Sequence, residues 1–209
     1  MLNTFRDRNF PPIFPRKIRY FQKPLGLIIQ MALAKRFGSF AIKQHFDLIS
    51  RPQYAYGMLR AAMLAKKLGK QSITVCKFGV WNGDGLNKMV KIANALTEEY
   101  GIHFNIVGFE SGEGLAPSLT HKDHQEVWAP GVFKATSIHD LEQRFQGKAN
   151  LKIGKIEDTV DGFLDDLAPH EPIGFIAIDV DRYEATVSTL RAIKGPRGKV
   201  SSHSQFISR

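Results

Sequence analysis

Cysteine is almost missing from this chain: Cys76 stands alone among 209 residues, so no internal disulfide can form. A single cysteine suits a reducing compartment, and its place in the apolar run Ile73–Cys76 reads as a small buried core residue. Long apolar runs are missing too. A membrane-spanning helix needs roughly 20 apolar residues. Leu25–Ala34 covers only ten and lies too far inside the chain to act as a signal peptide. A cytoplasmic protein with no transmembrane segment is therefore expected. No repeat or low-complexity tract appears, which excludes solenoids and arrays. With 43% hydrophobic and 23% charged residues, the chain can bury a globular core. Acids are scarce at one end. Residues 1–70 hold only Asp7 and Asp47 against fourteen Lys/Arg, whereas the remainder holds eighteen acids against fifteen bases.

Three regions are expected: a basic arm with helices over 1–52, a nucleotide-binding α/β domain over 53–195, and an irregular tail over 196–209. In the arm, Pro11, Pro12, Pro15 and Pro24 forbid a continuous helix. Phe10, Phe14 and Phe21 either lie on the main body or join the Arg and Lys residues in contacting an anionic surface, nucleic acid or lipid headgroups. Helices are predicted over 24–37, 39–48 and 54–68. Tyr54 and Tyr56 then either pack structurally or line one end of a site.

The chain is organised around Ser72–Glu110. Ile73–Cys76 is a short apolar run, followed by a turn with Gly79, Gly83 and Gly85. Leu86, Met89, Val90, Ala93 and Leu96 recur at helical spacing. Phe104–Phe109 is a second apolar run, closed by Glu110. Strand, glycine turn, helix, strand and acid make a nucleotide-binding βαβ unit. In such a unit glycines let the backbone approach a ligand and the carboxylate accepts ribose hydroxyls. The turn matches neither the dinucleotide fingerprint nor a P-loop. Its looser spacing suits S-adenosylmethionine.

Beyond Glu110 runs a long glycine- and proline-containing stretch with the character of a lid or binding loop. Its His121 and His124 fall short of the three protein ligands of a catalytic zinc and read as solvated loop residues. Ser137, with Asp140 three residues on, signals a helix start. A strand is predicted over 149–156 and a helix over 158–167. Ile173–Ile178 reads as a strand buried on both faces of a parallel sheet. It ends in Asp179 and Asp181 at the edge where open α/β sheets bind ligands. A last helix, 183–193, is expected to turn Ala185, Val187, Leu190 and Ile193 inward. The serine-rich tail offers no apolar strand. Ile173–Ile178 is therefore expected to present an open edge through which copies of the chain associate.

Gly79-Val80-Trp81-Asn82-Gly83, with Gly85 and Met89, resembles the first motif of class I S-adenosylmethionine-dependent methyltransferases, in the form of the macrocin O-methyltransferase-like branch. Tyr54–Gly57, Gly108–Leu115, Trp128–Lys134 and Ile178–Thr186 are similar to the same relatives, so the likeness covers about residues 51–194. The resemblance implies a Rossmann-like sheet with about four of seven strands present, in a chain that looks cut short. S-adenosylmethionine is the implied cofactor, bound through Gly79, Val80, Trp81, Gly83, Gly85 and Glu110. The implied reaction is methyl transfer to the hydroxyl of a small molecule or sugar. Asp179 and Asp181 are the implied catalytic carboxylates, with Asp179 also the candidate ligand for a divalent metal such as Mg.

The chain departs from the family at three places. Lys77 replaces an acid, Lys155 replaces an aspartate, and the acidic cluster after a fifth strand is missing. Lys77 and Lys155 are expected to oppose a cationic cofactor. Two alternatives stand beside the enzyme: a methyltransferase-like protein without activity, and a basic module that binds anionic surfaces or nucleic acid.

Overall fold

The computed structural model describes residues 24–114, 131, 133–134, 137–168, 170–194 and 200–208, with the backbone alone described at 191–194 and 200–208. The arm before residue 24, the paired histidines His121 and His124, and Trp128 lie outside the described residues. The chain divides into two units, 1–48 and 49–209. The first contains α1 (Leu25–Phe37) and α2 (Phe40–His45). Pro24 opens α1, and the Ser39 hydroxyl caps α2 by accepting from the Ile42 amide at 3.3 Å. No described helix is long and apolar enough to cross a membrane.

The second unit runs α3 (Pro52–Lys67), β1 (Ser72–Phe78), α4 (Asp84–Tyr100), β2 (His103–Glu110), α5 (Ile138–Phe145), β3 (Asn150–Ile153), α6 (Ile156–Asp166), β4 (Ile173–Ile178), α7 (Tyr183–Lys194) and β5 (Val200–Ser208). All strand pairings are parallel, in the order β3-β2-β1-β4-β5. This is the expected Rossmann-like α/β class. Helical connections follow from parallel pairing, since a parallel neighbour can be reached only by a crossover.

Period-two alternation sorts the strand residues onto two buried faces. Cys76, Phe78, Val107, Phe109, Ile176 and Ile178 meet Val160, Phe163 and Leu164 of α6. Phe78 stacks on Phe109 at 4.3 Å, and Phe163 meets Phe109 edge-on at 5.3 Å. On the other face Phe175 meets Tyr54 of α3. A Cβ on Gly57 would lie 2.4 Å from the Phe175 ring, so only glycine lets α3 settle that close. Full burial of such an aromatic side chain contributes about 1.5–3 kcal/mol. Cys76 is fully buried, as expected, and burial pushes its thiol pKa up.

Three expectations are corrected. Residues 200–208 are not an irregular tail but a fifth strand, paired with β4 from Ile173–Val200 to Ile178–Ser208. The sheet therefore has five strands among the described residues, and β4 is not the open edge proposed for self-association. Val200–Ser208 carries no apolar run because an edge strand need not supply two buried faces; the β4 ladder supplies its pairing. Third, α7 does not turn Val187 and Leu190 inward. Both are exposed, while Ser188 and Thr189 are buried and Thr189 donates to the Ala185 carbonyl at 2.8 Å. The hydroxyl's hydrogen bond to its own helix lets a polar residue occupy the inner face.

Candidate functional site

The strand order reverses at β1, where one neighbour (β2) continues in one direction and the other (β4) in the opposite. Ligands of open α/β sheets bind in the crevice beyond the strand ends at that point. A cavity of about 610 Å³ opens there, lined from β1 by Gly79, Val80 and Trp81 and from β4 by Asp179 and Asp181. Its size lies within the range of small-molecule sites. Its described lining includes six carboxylates (Asp84, Glu110, Glu157, Asp179, Asp181, Glu184) against four basic side chains (Arg51, Lys77, Lys155, Arg182). That excess of negative charge favours a cationic ligand.

The turn after β1 is built by backbone demands. Gly79 and Gly83 have φ of 81° and 84°, and Trp81 takes φ 51° despite its side chain. A Cβ on Gly79 would meet the Asp179 carbonyl oxygen at 2.2 Å. Gly83 faces the Phe145 ring of α5, and Gly85 faces the Lys77 side chain, with would-be contacts of 2.7 and 2.5 Å. These glycines admit neighbouring parts of the protein. Of the six residues expected to hold the cofactor, Gly79, Val80, Trp81, Gly85 and Glu110 line the cavity, and Gly83 is not among its described lining. From α5, Arg144 braces the turn by donating to the Asn82 carbonyl at 2.9 Å.

Glu110 ends β2 as expected, and its carboxylate turns back onto the glycine turn. One oxygen accepts from the amides of Val80 (2.9 Å) and Trp81 (2.6 Å), and the other from Gly112 (3.0 Å). Three N–H donors on one buried carboxylate hold the turn in place. Trp81 meets Phe133 edge-on at 5.7 Å; both are exposed and both line the cavity.

Lys77 is corrected most. It is only 2% exposed, yet its ammonium is paired: Nζ lies 2.9 Å from Asp179 Oδ2 and donates to the Tyr54 hydroxyl at 3.2 Å. The expected unpaired cation is thus neutralised from β4, so its repulsion of a cationic ligand is offset at the source. Breaking a buried pair by removing one partner costs about 3–5 kcal/mol, less here because Asp179 is 21% exposed. Tyr54 is buried and both packs and holds Lys77; Tyr56 is exposed. Lys155, the residue before α6, is exposed on the cavity wall with no ion pair among the described residues.

A divalent metal does not fit this donor set. One Asp179 oxygen already receives the Lys77 ammonium, and no cluster of three His, Cys, Asp or Glu that could hold a metal occurs among the described residues. Mg wants near-octahedral oxygen ligation, which an ammonium-bound carboxylate opposes.

Among solved structures, the crystal structure of the calicheamicin methyltransferase CalS11 is similar to 96% of this chain and 80% of its own, with 18% identity and a TM-score of 0.57. The chain thus shares the Rossmann-like fold of that protein. An apo structure of CalS11, there described as a TDP-rhamnose 3′-O-methyltransferase of calicheamicin biosynthesis, aligns over 96% of this chain and 81% of its own at 18% identity, with a TM-score of 0.47. No protein-family model and no curated protein matches the sequence. Within this Rossmann-like fold the cavity, the glycine turn and Glu110 occupy the strand ends at the switch point. Sequence reasoning missed the Lys77–Asp179 pair. A lysine near the end of the buried strand β1 was the signal for it, since a buried charge needs a partner.

Proposed function

We propose that this chain transfers a methyl group from S-adenosylmethionine to the hydroxyl of a small molecule or sugar. The observation that carries this reading is the carboxylate-rich cavity at the β1–β4 switch point, next to the turn anchored by Glu110. S-adenosylmethionine bears a net positive charge, which the six carboxylates against four basic groups suit. When bound it supplies an electrophilic methyl on a sulfonium. The acceptor oxygen would take that methyl as the thioether leaves with the carbon–sulfur electron pair, in the cavity lined by Asp179 and Asp181.

The work of the protein is alignment, which can contribute about 7–11 kcal/mol to such a transfer. Val80 and Trp81 line the cavity beside the donor, and Glu110 receives a ribose hydroxyl through the one lone-pair site left beside its three amide bonds. Asp181, exposed on the cavity wall, takes the acceptor's proton. Asp179 is engaged by Lys77 and has a binding role instead. No step passes through a metal.

Calorimetric titration of the full chain with S-adenosylmethionine and S-adenosylhomocysteine tests the reading, followed by transfer of labelled methyl to a panel of sugar and phenol hydroxyls. Micromolar binding and label in an acceptor are expected. Absence of binding by both ligands refutes the proposal.

A further inference from the structure

Helix α1 turns an apolar stripe to solvent. Leu25, Ile29, Leu33 and Phe37 follow one another at spacings of four, which sets them along one side of the helix, and they are 53–75% exposed. Met31 and Ala34, on the other side, are buried. We propose that α1 is an interfacial anchor for an anionic lipid surface, the stripe entering the acyl boundary with Lys35 and Arg36 at the level of the headgroups. The inference concerns the first unit alone and is independent of the methyl-transfer reading.

Charge selects the occupant. Residues 1–48 hold nine Lys/Arg against Asp7 and Asp47, and residues 24–46 hold no acid at all. An anionic surface attracts such a segment, by about fivefold in affinity for each basic residue that reaches it. A second copy of the chain would bring the same positive charge against itself, which opposes pairing through this face. Nucleic acid would meet the charge, but its affinity comes from phosphates and it offers the aliphatic Leu25, Ile29 and Leu33 little to bury against. A lipid surface answers both the charge and the stripe. With 13 residues α1 is about 20 Å long, short of the roughly 30 Å hydrocarbon core, so it lies along the surface and does not cross it. At its C-terminal end the Arg36 guanidinium sits 5.0 Å from the centre of the Phe37 ring, and Lys35 is exposed beside it. An aromatic ring paired with a cation suits the headgroup boundary, where the ring stays at the apolar edge and the cation keeps its water.

The experiment is co-sedimentation of the full chain with vesicles of phosphatidylcholine alone and of a two-to-one mixture of phosphatidylcholine and phosphatidylserine. Binding to the mixture is expected to be at least tenfold tighter than to the neutral vesicles and to weaken as salt rises. Ile29→Ser with Leu33→Ser changes only exposed positions, so the fold is kept, and binding to the mixture should fall at least tenfold. Lys35→Gln with Arg36→Gln should also lower it at least tenfold. Insertion is read directly in Leu33→Trp, where brominated lipid should quench tryptophan fluorescence beyond its level in wild type. No binding to either vesicle, equal affinity for both, unchanged binding by the serine pair, or no added quenching in Leu33→Trp overturns the proposal. If the serine pair fails to fold by circular dichroism, the quenching measurement decides. Tighter binding to single-stranded polyuridylate than to the mixed vesicles assigns the segment to nucleic acid and overturns the proposal. A dimer seen by sedimentation velocity and abolished by the serine pair, with no vesicle binding, assigns the stripe to a second copy and overturns it too.

Discussion

Replacing Glu110 by alanine removes one carboxylate that accepts three amide hydrogen bonds, from Val80, Trp81 and Gly112. Hydrogen bonds to charged groups contribute about 1.5–3 kcal/mol each. They are not additive, and water from the cavity can replace part of them, so a net loss of roughly 3 kcal/mol is expected. For a chain of this size each kcal/mol corresponds to about 2–4 °C, so Tm should fall by roughly 6–12 °C. Trp81 keeps φ 51° only while the turn is held, so its amide should also exchange faster with solvent. Glu110→Gln is the informative companion. Its carbonyl can still accept from Val80 and Trp81, but its NH₂ faces the Gly112 amide, donor against donor. A loss of about 1–2 kcal/mol is expected, between wild type and alanine. Chemical denaturation by circular dichroism gives the energies, and hydrogen exchange on Val80 and Trp81 gives the local effect. A Glu110→Ala protein within about 0.5 kcal/mol of wild type, with unchanged exchange at those amides, refutes the view that this carboxylate holds the turn.

Gly79→Ala combines a φ of 81° with a would-be Cβ contact of 2.2 Å to the Asp179 backbone, so it should cost about 3 kcal/mol or more, read by urea denaturation. Lys77→Glu puts a carboxylate against Asp179, so it should destabilise the protein and not improve binding; a gain in stability would show the pair is not formed. Burial raises the Cys76 pKa, which keeps the thiol protonated around neutral pH. Alkylation at pH 8 should thus follow global unfolding, and fast labelling of native protein counts against its burial. Val187→Thr with Leu190→Gln touches only exposed positions and should change stability by less than about 0.5 kcal/mol each in a thermal melt.

Much of the architecture can be read along the chain because periodicity records burial. Ile173–Ile178 is a strand with the residues expected for it, and Ser137 caps its helix by accepting from the Asp140 amide at 3.1 Å. The βαβ unit over 72–110, its glycine turn and its closing acid follow from local pattern, since two-residue and three-to-four-residue spacings are set within one element. Other features depend on which elements become neighbours. Val200–Ser208 has no strand signal of its own and becomes one by pairing with β4. Val187 and Leu190 have helical spacing, but the neighbours of α7 decide which face is buried. Lys77 and Asp179 are separated by 102 residues and meet only because β1 and β4 are adjacent. Glu110 reaches back 30 residues to Val80 because β2 pairs in register with β1 on its other side. The sequence by itself determined the elements and the residue types at their ends. The crossover order of the sheet decided which ends share a cavity, and so which charges neutralise each other there.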